Sequence, residues 1–239
     1  MLGEVDLVPY QAGELPSGPY LVFAPHADDE TFGLGGLLLK ASERNIKFDI
    51  AIMTDGALGG TIRPDIVELR KQEALRASRF LGAASVHFFD YPDRGLKIDP
   101  ESIATIREHI EGLRPAAIFF PSLLEYHPDH RATAMIVAKA TETLCYETWS
   151  AYAYDISAQG FVNRLIDISP VKEKKLQAMS IYLSQQEVHE YSDLVLALNR
   201  TRAYTLPAGV DYAEGLYEFT RDELKDLCGF LSGRALRYC

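Results

Sequence analysis

The chain has 239 residues, 47% of them apolar and 24% charged, and its 24 Lys and Arg against 34 Asp and Glu give a net charge of −10. This composition is globular and excludes wholesale disorder, and a chain of this length buries enough apolar surface to fold without disulfide or metal staples, so any metal is expected to be chemical. The acidic balance disfavours phosphate backbones and anionic surfaces, so neither a nucleic acid nor a membrane is expected as a partner.

Taken in chain order, residues 1–10 carry acids and no long apolar run, so no signal peptide is read there. The first strand is expected over Tyr20–Ala24, followed by a helix with Leu34, Leu37, Leu38 and Ala41 at helical spacing. Further strand–helix units follow: a strand over 48–53 with a helix over 65–81, a strand over 86–89 with a helix striped by Ile103, Ile106, Ile110 and Leu113, and a strand over 116–120 with a helix over about 129–144. Such alternation predicts an α/β fold, a mainly parallel sheet with helices on both faces. After Trp149 the pattern changes to strand-like pieces over 151–156 and 164–168, then helical stretches over about 171–184 and 192–204. We read one domain over 1–239, with a core over about 18–145 and a C-terminal β/α extension over about 146–239. Cys145, Cys228 and Cys239 are odd in number and form no Cys-x-x-Cys, which suggests reduced thiols and a cytoplasmic protein. No apolar stretch approaches the length of a membrane span.

The commonest core order for such a sheet, 3-2-1-4, makes strands 1 and 4 neighbours, and ligands bind between their carboxyl ends. Both loops at that place are rich in histidine and carboxylate: Pro25-His26-Ala27-Asp28-Asp29-Glu30 after strand 1, and Glu125-Tyr126-His127-Pro128-Asp129-His130 after strand 4. Pro128 suits a first helical turn, and His130 then begins an inward stripe through Thr133, Val137, Ala140 and Leu144. Two histidines and a carboxylate suit zinc with a position open for water, and His26, Asp29 and His130 are the expected ligands. Bound zinc lowers the pKa of its water to about 7, which leaves Asp28 as general base. His127 is placed to donate to an oxyanion, with Asp129 holding its tautomer. One zinc per chain is expected, with iron or cobalt as alternatives.

The same residues carry other readings. Asp28 and Asp29 suit a helix N-terminus and need do no more than cap it, but capping leaves the second loop unexplained. Gly33, Gly35, Gly36 and Asp55 resemble a dinucleotide site, yet His26 through Glu30 intervene where a pyrophosphate needs bare N–H groups. Those glycines are instead expected to allow close helix–sheet packing. Arg70 lies on a buried stripe, so it either pairs with Glu73 or reaches substrate hydroxyls. Asp93 is a second candidate for a sugar hydroxyl. His109, among charges on a helix, is expected to be solvated.

The two loops resemble the signature of the PIG-L/LmbE-like zinc de-N-acetylases, through His26-Ala27-Asp28-Asp29-Glu30 and His127-Pro128-Asp129-His130. Weaker similarities run through Thr54-Asp55-Gly56, Gly59-Gly60, Arg70 with Glu73, Tyr91-Pro92-Asp93, Ser184-Gln185 and Tyr212-Ala213-Glu214-Gly215, so the resemblance spans about 18–219. It implies a Rossmann-like fold and hydrolysis of the N-acetyl amide of an N-acetylglucosamine-type sugar conjugate, a small molecule. It implies His26, Asp29 and His130 as ligands, Asp28 as base, and His127 backed by Asp129 at the tetrahedral intermediate. It also implies an arginine on substrate, here Arg70, and homo-oligomers, since members often assemble. Ala27 stands where the family has proline. Some members place a carbonyl-polarising tyrosine two residues before the second-loop histidine; Glu125 stands there and Tyr126 one position later. Another metal-dependent amidase on the same scaffold, or a noncatalytic sugar- or metal-binding module, are the alternatives.

Overall fold

The computed structural model describes residues 8–61, 63–187 and 189–235. Most of the N-terminal reading over 1–10, and Cys239, lie outside these residues. Cys145 and Cys228 are exposed thiols. Among the described residues no helix is long and apolar enough to cross a membrane.

Four strand–helix units build the core: β1 (Tyr20–Ala24) and α1 (Asp29–Glu43), β2 (Phe48–Thr54) and α2 (Ile66–Leu81), β3 (Ser85–Tyr91) and α3 (Pro100–Leu113), β4 (Ala117–Pro121) and α4 (Pro128–Thr141). Every residue of β1 and of β4 is buried, as expected of strands covered on both faces by helices. The sheet continues through β5 (Ser150–Tyr154), β6 (Arg164–Asp167) and β7 (Ala213–Phe219) in the order β3-β2-β1-β4-β5-β7-β6. β1 to β5 run parallel, and β7 is antiparallel to both β5 and β6. The expected 3-2-1-4 order is present, and β5 extends it by pairing Ala117 with Ser150. One core packs Val22, Ile50, Leu34, Leu38 and Ala74 on one face; the other packs Phe23, Phe120, Ile106, Ile110 and Val137 on the opposite face.

The remaining helices are α5 (Lys172–Met179), α6 (Leu183–Gln186), α7 (Tyr191–Arg202), α8 (Arg221–Lys225) and α9 (Leu227–Ala235). The helix expected over 171–184 is therefore broken between α5 and α6. The break lets Tyr182 donate its hydroxyl to Glu30, and Ser184 bond Glu73 through its N–H (3.0 Å) and hydroxyl (2.6 Å). Tertiary hydrogen bonds thus override a helical pattern. The same holds for β7, which the sequence pattern does not suggest because Glu214 interrupts its apolar run. Glu214 is fully buried and accepts from Lys175 Nζ (2.8 Å) and from the N–H groups of Gly36 and Leu37 (2.7 Å each).

The α1 glycines do allow close packing. A Cβ on Gly33 would overlap the Tyr154 ring and lie 2.9 Å from the Asp155 carbonyl oxygen; one on Gly36 would overlap Ile168. Alanine at 33 gains about 1 kcal/mol of helix propensity but forces an overpacked contact costing about 1–3 kcal/mol. Gly33→Ala is expected to lower the denaturation midpoint, read by chemical unfolding, and an unchanged or raised midpoint counts against this packing.

His109 is half-buried rather than solvated. Its ring packs against His87 (centroids 4.5 Å) and Phe89 (5.2 Å), and burial, with the neighbouring His87, pushes its pKa down to about 4. A helical stripe could not show that β3 brings two aromatic rings onto it.

Candidate active site

β1 and β4 are hydrogen-bonded neighbours, with Tyr20 opposite Ala117, so the loops leaving their carboxyl ends meet. Pro128 opens α4 and His127 caps it, which turns His130 inward to 6% exposure. The rings of His26 and His127 lie 4.6 Å apart between centroids, and His130 lies 5.3 Å from each. One nitrogen from each of the three falls within 4.8 Å of the others.

Asp29 joins two of these histidines. Its Oδ2 lies 3.1 Å from His26 Nδ1 and 3.2 Å from His130 Nε2, and accepts from the His26 N–H at 2.9 Å. On its other side, His26 Nε2 lies 3.4 Å from both Asp93 Oδ1 and Asp129 Oδ2. Burial opposes charge on both rings, but the carboxylates outweigh it. The Asp129, Asp29 and Asp93 side chains raise the pKa of His26 well above its usual value, and Asp29 with Glu125 raises His130 to about 9. The Asp29 carboxyl, also opposed by burial, is held far below its ordinary range by His130 and His26. A tetrahedral zinc with bonds of about 2.0–2.1 Å sets its ligand atoms about 3.3 Å apart, close to both Asp29 separations. The donor chemistry and the two Asp29 separations fit a cation between Asp29 and either histidine, whereas among the described residues the donor sets whose ligand atoms all fall within 4.8 Å of one another contain His26 and His127 and not Asp29.

Asp28 stands beside this set at φ 145° and ψ −31°, a conformation rarely adopted by a residue with a side chain. Two neighbours hold it there. Glu30 Oε2 accepts the Asp28 N–H at 3.3 Å, and Glu30 is itself fixed by Thr31 Oγ1 (2.6 Å) and by the Tyr182 hydroxyl. Arg70 Nη2 donates to the Ala27 carbonyl at 3.0 Å and to Asp28 Oδ2 at 3.4 Å, while Nη1 donates to the Gly56 carbonyl at 3.3 Å. Burial pushes the Asp28 carboxyl up to about 7, against the pull of Arg70.

Some expected pairings differ. Arg70 is bonded to the Asp28 loop rather than to Glu73, which instead takes Ser184. Asp93, expected toward a sugar hydroxyl, has a side chain only 3% exposed; Oδ2 accepts from the Leu58 N–H at 2.9 Å and Oδ1 faces His26. Asp129 fixes the His127 tautomer through its backbone: its N–H donates to His127 Nδ1 at 3.2 Å, which leaves the ring proton of neutral His127 on Nε2. Its carboxylate accepts from the Arg94 and Leu96 N–H groups, at 2.7 and 3.4 Å. Tyr126 is 77% exposed on the rim, its carbonyl gripped by Arg131 at 2.6 Å.

Sequence reasoning gave no role to Glu30, Tyr182 or Glu125. Glu125 is buried, accepts from the N–H groups of Ile156 (2.7 Å), Ser157 (3.1 Å) and Ala158 (3.3 Å), and lies 3.6 Å from His130 Nδ1. Its position before the histidine motif was the available signal, but its partners come from the loop after β5.

A sheet of this order, with histidines and carboxylates at the meeting ends of β1 and β4, is the architecture of the LmbE-like deacetylases. The chain belongs to the PIG-L family: residues 21–141 match the family model described as GlcNAc-PI de-N-acetylase. It is similar to the diacetylchitobiose deacetylase of Thermococcus kodakarensis, at 30% identity over 82% of this chain and 81% of that one. The solved N,N'-diacetylchitobiose deacetylase of Pyrococcus horikoshii shares the fold with a TM-score of 0.77, at 22% identity over 85% of this chain and 84% of that one. A 4-oxalmesaconate hydratase of Pseudomonas putida is also similar, at 22% identity over 84% of this chain and 89% of its own length.

Proposed function

We propose that this deacetylase removes the acetyl group from an N-acetylglucosamine-type sugar conjugate, releasing acetate and a free amine, with one zinc held by His26, Asp29 and His130. The observation that carries the reading is the division of labour between two adjacent carboxylates. Asp29 is tied to both histidines, whereas Asp28 lies beside them, held by Arg70 and a strained backbone. Bound zinc supplies Lewis acidity to the amide carbonyl and lowers the pKa of the attacking water to about 7.

The chain's own groups do the rest. Asp28 accepts the proton of the attacking water and returns it to the departing nitrogen. His127, with Nδ1 occupied by the Asp129 N–H, donates from Nε2 to the developing oxyanion. Arg70 and Glu30 fix the position of Asp28, and Tyr126 on the rim meets the substrate beyond the acetylated sugar.

His26→Ala and His130→Ala are each expected to lose zinc on dialysis, read as metal per chain, and full occupancy in both variants would remove the ligand assignment. The activity is tested by incubating zinc-loaded protein with diacetylchitobiose and N-acetylglucosamine glycosides and reading free amine. Amine release supports the reading. Hydration of 4-oxalmesaconate with no amine from any sugar would replace it with hydratase chemistry.

A further inference from the structure

We infer that Glu125 is a positioning residue for the cation: it takes the Nδ1–H of His130 and so commits Nε2 of that ring to zinc. The inference rests on the proposed reading for His130 as a ligand, and it gives a task to a buried glutamate that the proposed mechanism leaves unused.

The two nitrogens of His130 face two different carboxylates. Nε2 lies 3.2 Å from Asp29 Oδ2, the oxygen that also meets His26, and Nδ1 lies 3.6 Å from Glu125 Oε2. Nδ1 is buried and has no hydrogen-bond partner among the described residues. Its gap to Glu125 exceeds an ordinary N–H···O bond, about 3.0 Å, by roughly 0.6 Å, so a small turn of the ring closes it. A histidine that ligates a metal through one nitrogen generally gives the other to a carboxylate or carbonyl, which fixes the tautomer and the ring orientation. His130 also belongs to the group of three histidines whose nitrogens converge, so the role does not depend on which other residues complete the ligand set.

The surroundings of Glu125 keep it an anion whatever the charge on the ring. Its side chain is 0% exposed, yet it does not depend on a cation. Oε1 accepts from the successive N–H groups of Ile156 (2.7 Å), Ser157 (3.1 Å) and Ala158 (3.3 Å), a row of backbone donors of the kind that holds anions. Oε2 accepts from the Ser157 hydroxyl and shares the Ser157 N–H at 3.1 Å, which leaves it a lone pair for the ring. A carboxylate held only by an imidazolium loses its partner when a metal takes the place of one ring proton; Glu125 does not. The residue is also fixed from both sides. Its carbonyl accepts from Arg131 Nη1 at 2.7 Å. The loop that supplies its donors is closed at the base by Arg202 of α7, which donates from Nε to Asp155 Oδ2 at 2.8 Å and from Nη2 to the Gly160 carbonyl at 2.6 Å, while Asp155 Oδ1 accepts from the Gly160 N–H at 2.8 Å. The C-terminal extension thus reaches His130 in two steps, through this loop and through Glu125.

The test uses the full chain and zinc itself. Zinc affinity is read by competition with a chelator, on the parent and on Glu125→Gln, which keeps the shape and one acceptor oxygen but loses the charge. The variant is expected to bind zinc about 10–100-fold more weakly, the usual loss when the partner of a histidine ligand is changed, and to show an altered visible spectrum when cobalt replaces zinc. A glutamate that only staples the loop would lower the urea midpoint and leave the zinc affinity and the cobalt spectrum at their parent values, and that result overturns the inference. A second measurement is made on the parent and does not require the Glu125 variant to fold: ¹⁵N NMR of the histidine rings with and without zinc, His130 being assigned by its absence in His130→Ala. Zinc is expected to shift Nε2 and to leave the ring proton on Nδ1. Zinc on Nδ1 with the proton on Nε2 overturns the inference while His130 remains a ligand. No zinc-dependent change at either nitrogen defeats the ligand reading of His130, and the inference with it.

Discussion

Asp28→Asn is expected to lower kcat by about 10²–10⁴-fold, the usual contribution of a general base, while the protein retains one zinc per chain. Asparagine is the informative replacement for three reasons. It has the size and shape of aspartate, so it meets the unusual backbone at this position no worse than the native residue does. It keeps an oxygen for Arg70 and an N–H for Glu30 Oε2, so the loop stays in place. It cannot accept a proton from water. Metal content separates this loss from loss of a ligand, because the substitution leaves the Asp29 bridge between His26 and His130 in place. A variant with near-normal kcat would show that another group activates the water. A variant that loses its metal would make Asp28 part of the cation's coordination.

The second large effect falls on stability and lies away from the chemistry. Lys175 and Glu214 form a fully buried ion pair at 2.8 Å, and Asn199 Oδ1 accepts from the same ammonium at 2.8 Å. Lys175→Met leaves the Glu214 carboxylate buried without its cation, a change that typically costs about 3–5 kcal/mol. That is a large part of the stability of an ordinary domain, about 5–15 kcal/mol. The expected result is a large drop in the urea midpoint. Adding Glu214→Gln to Lys175→Met should recover part of it, because the neutral amide still accepts one of the two α1 N–H groups that Glu214 now takes. A single variant as stable as the parent would mean that the pair is not needed where β7 meets α1.

These two predictions mark what the sequence makes legible. The two histidine- and carboxylate-rich loops are readable because their patterns are local. His26 and Asp29 are three residues apart, as are His127 and His130, and the parallel sheet makes strands 1 and 4 neighbours. The glycines of α1 are readable as packing sites, but not what packs on them. Tyr154, Ile168, Lys175 and Glu214 all come from beyond residue 150. The supports of the site are less visible still. Glu30 meets Tyr182 across 152 residues, Glu125 meets the loop at 156–158, and Asp93 turns from the surface to His26. A buried carboxylate in a sequence looks like any other acid until the donors that satisfy it are placed. β7 is hidden for the same reason, since a glutamate at its start argues against a buried strand unless a lysine elsewhere neutralises it.

The most direct test of the account is acetate released from diacetylchitobiose by protein stripped of metal and then given one equivalent of zinc. The account predicts no acetate from the stripped protein, and acetate matched mole for mole by free amine once zinc is restored. Equal release before and after restoration, or none in either state, would contradict it.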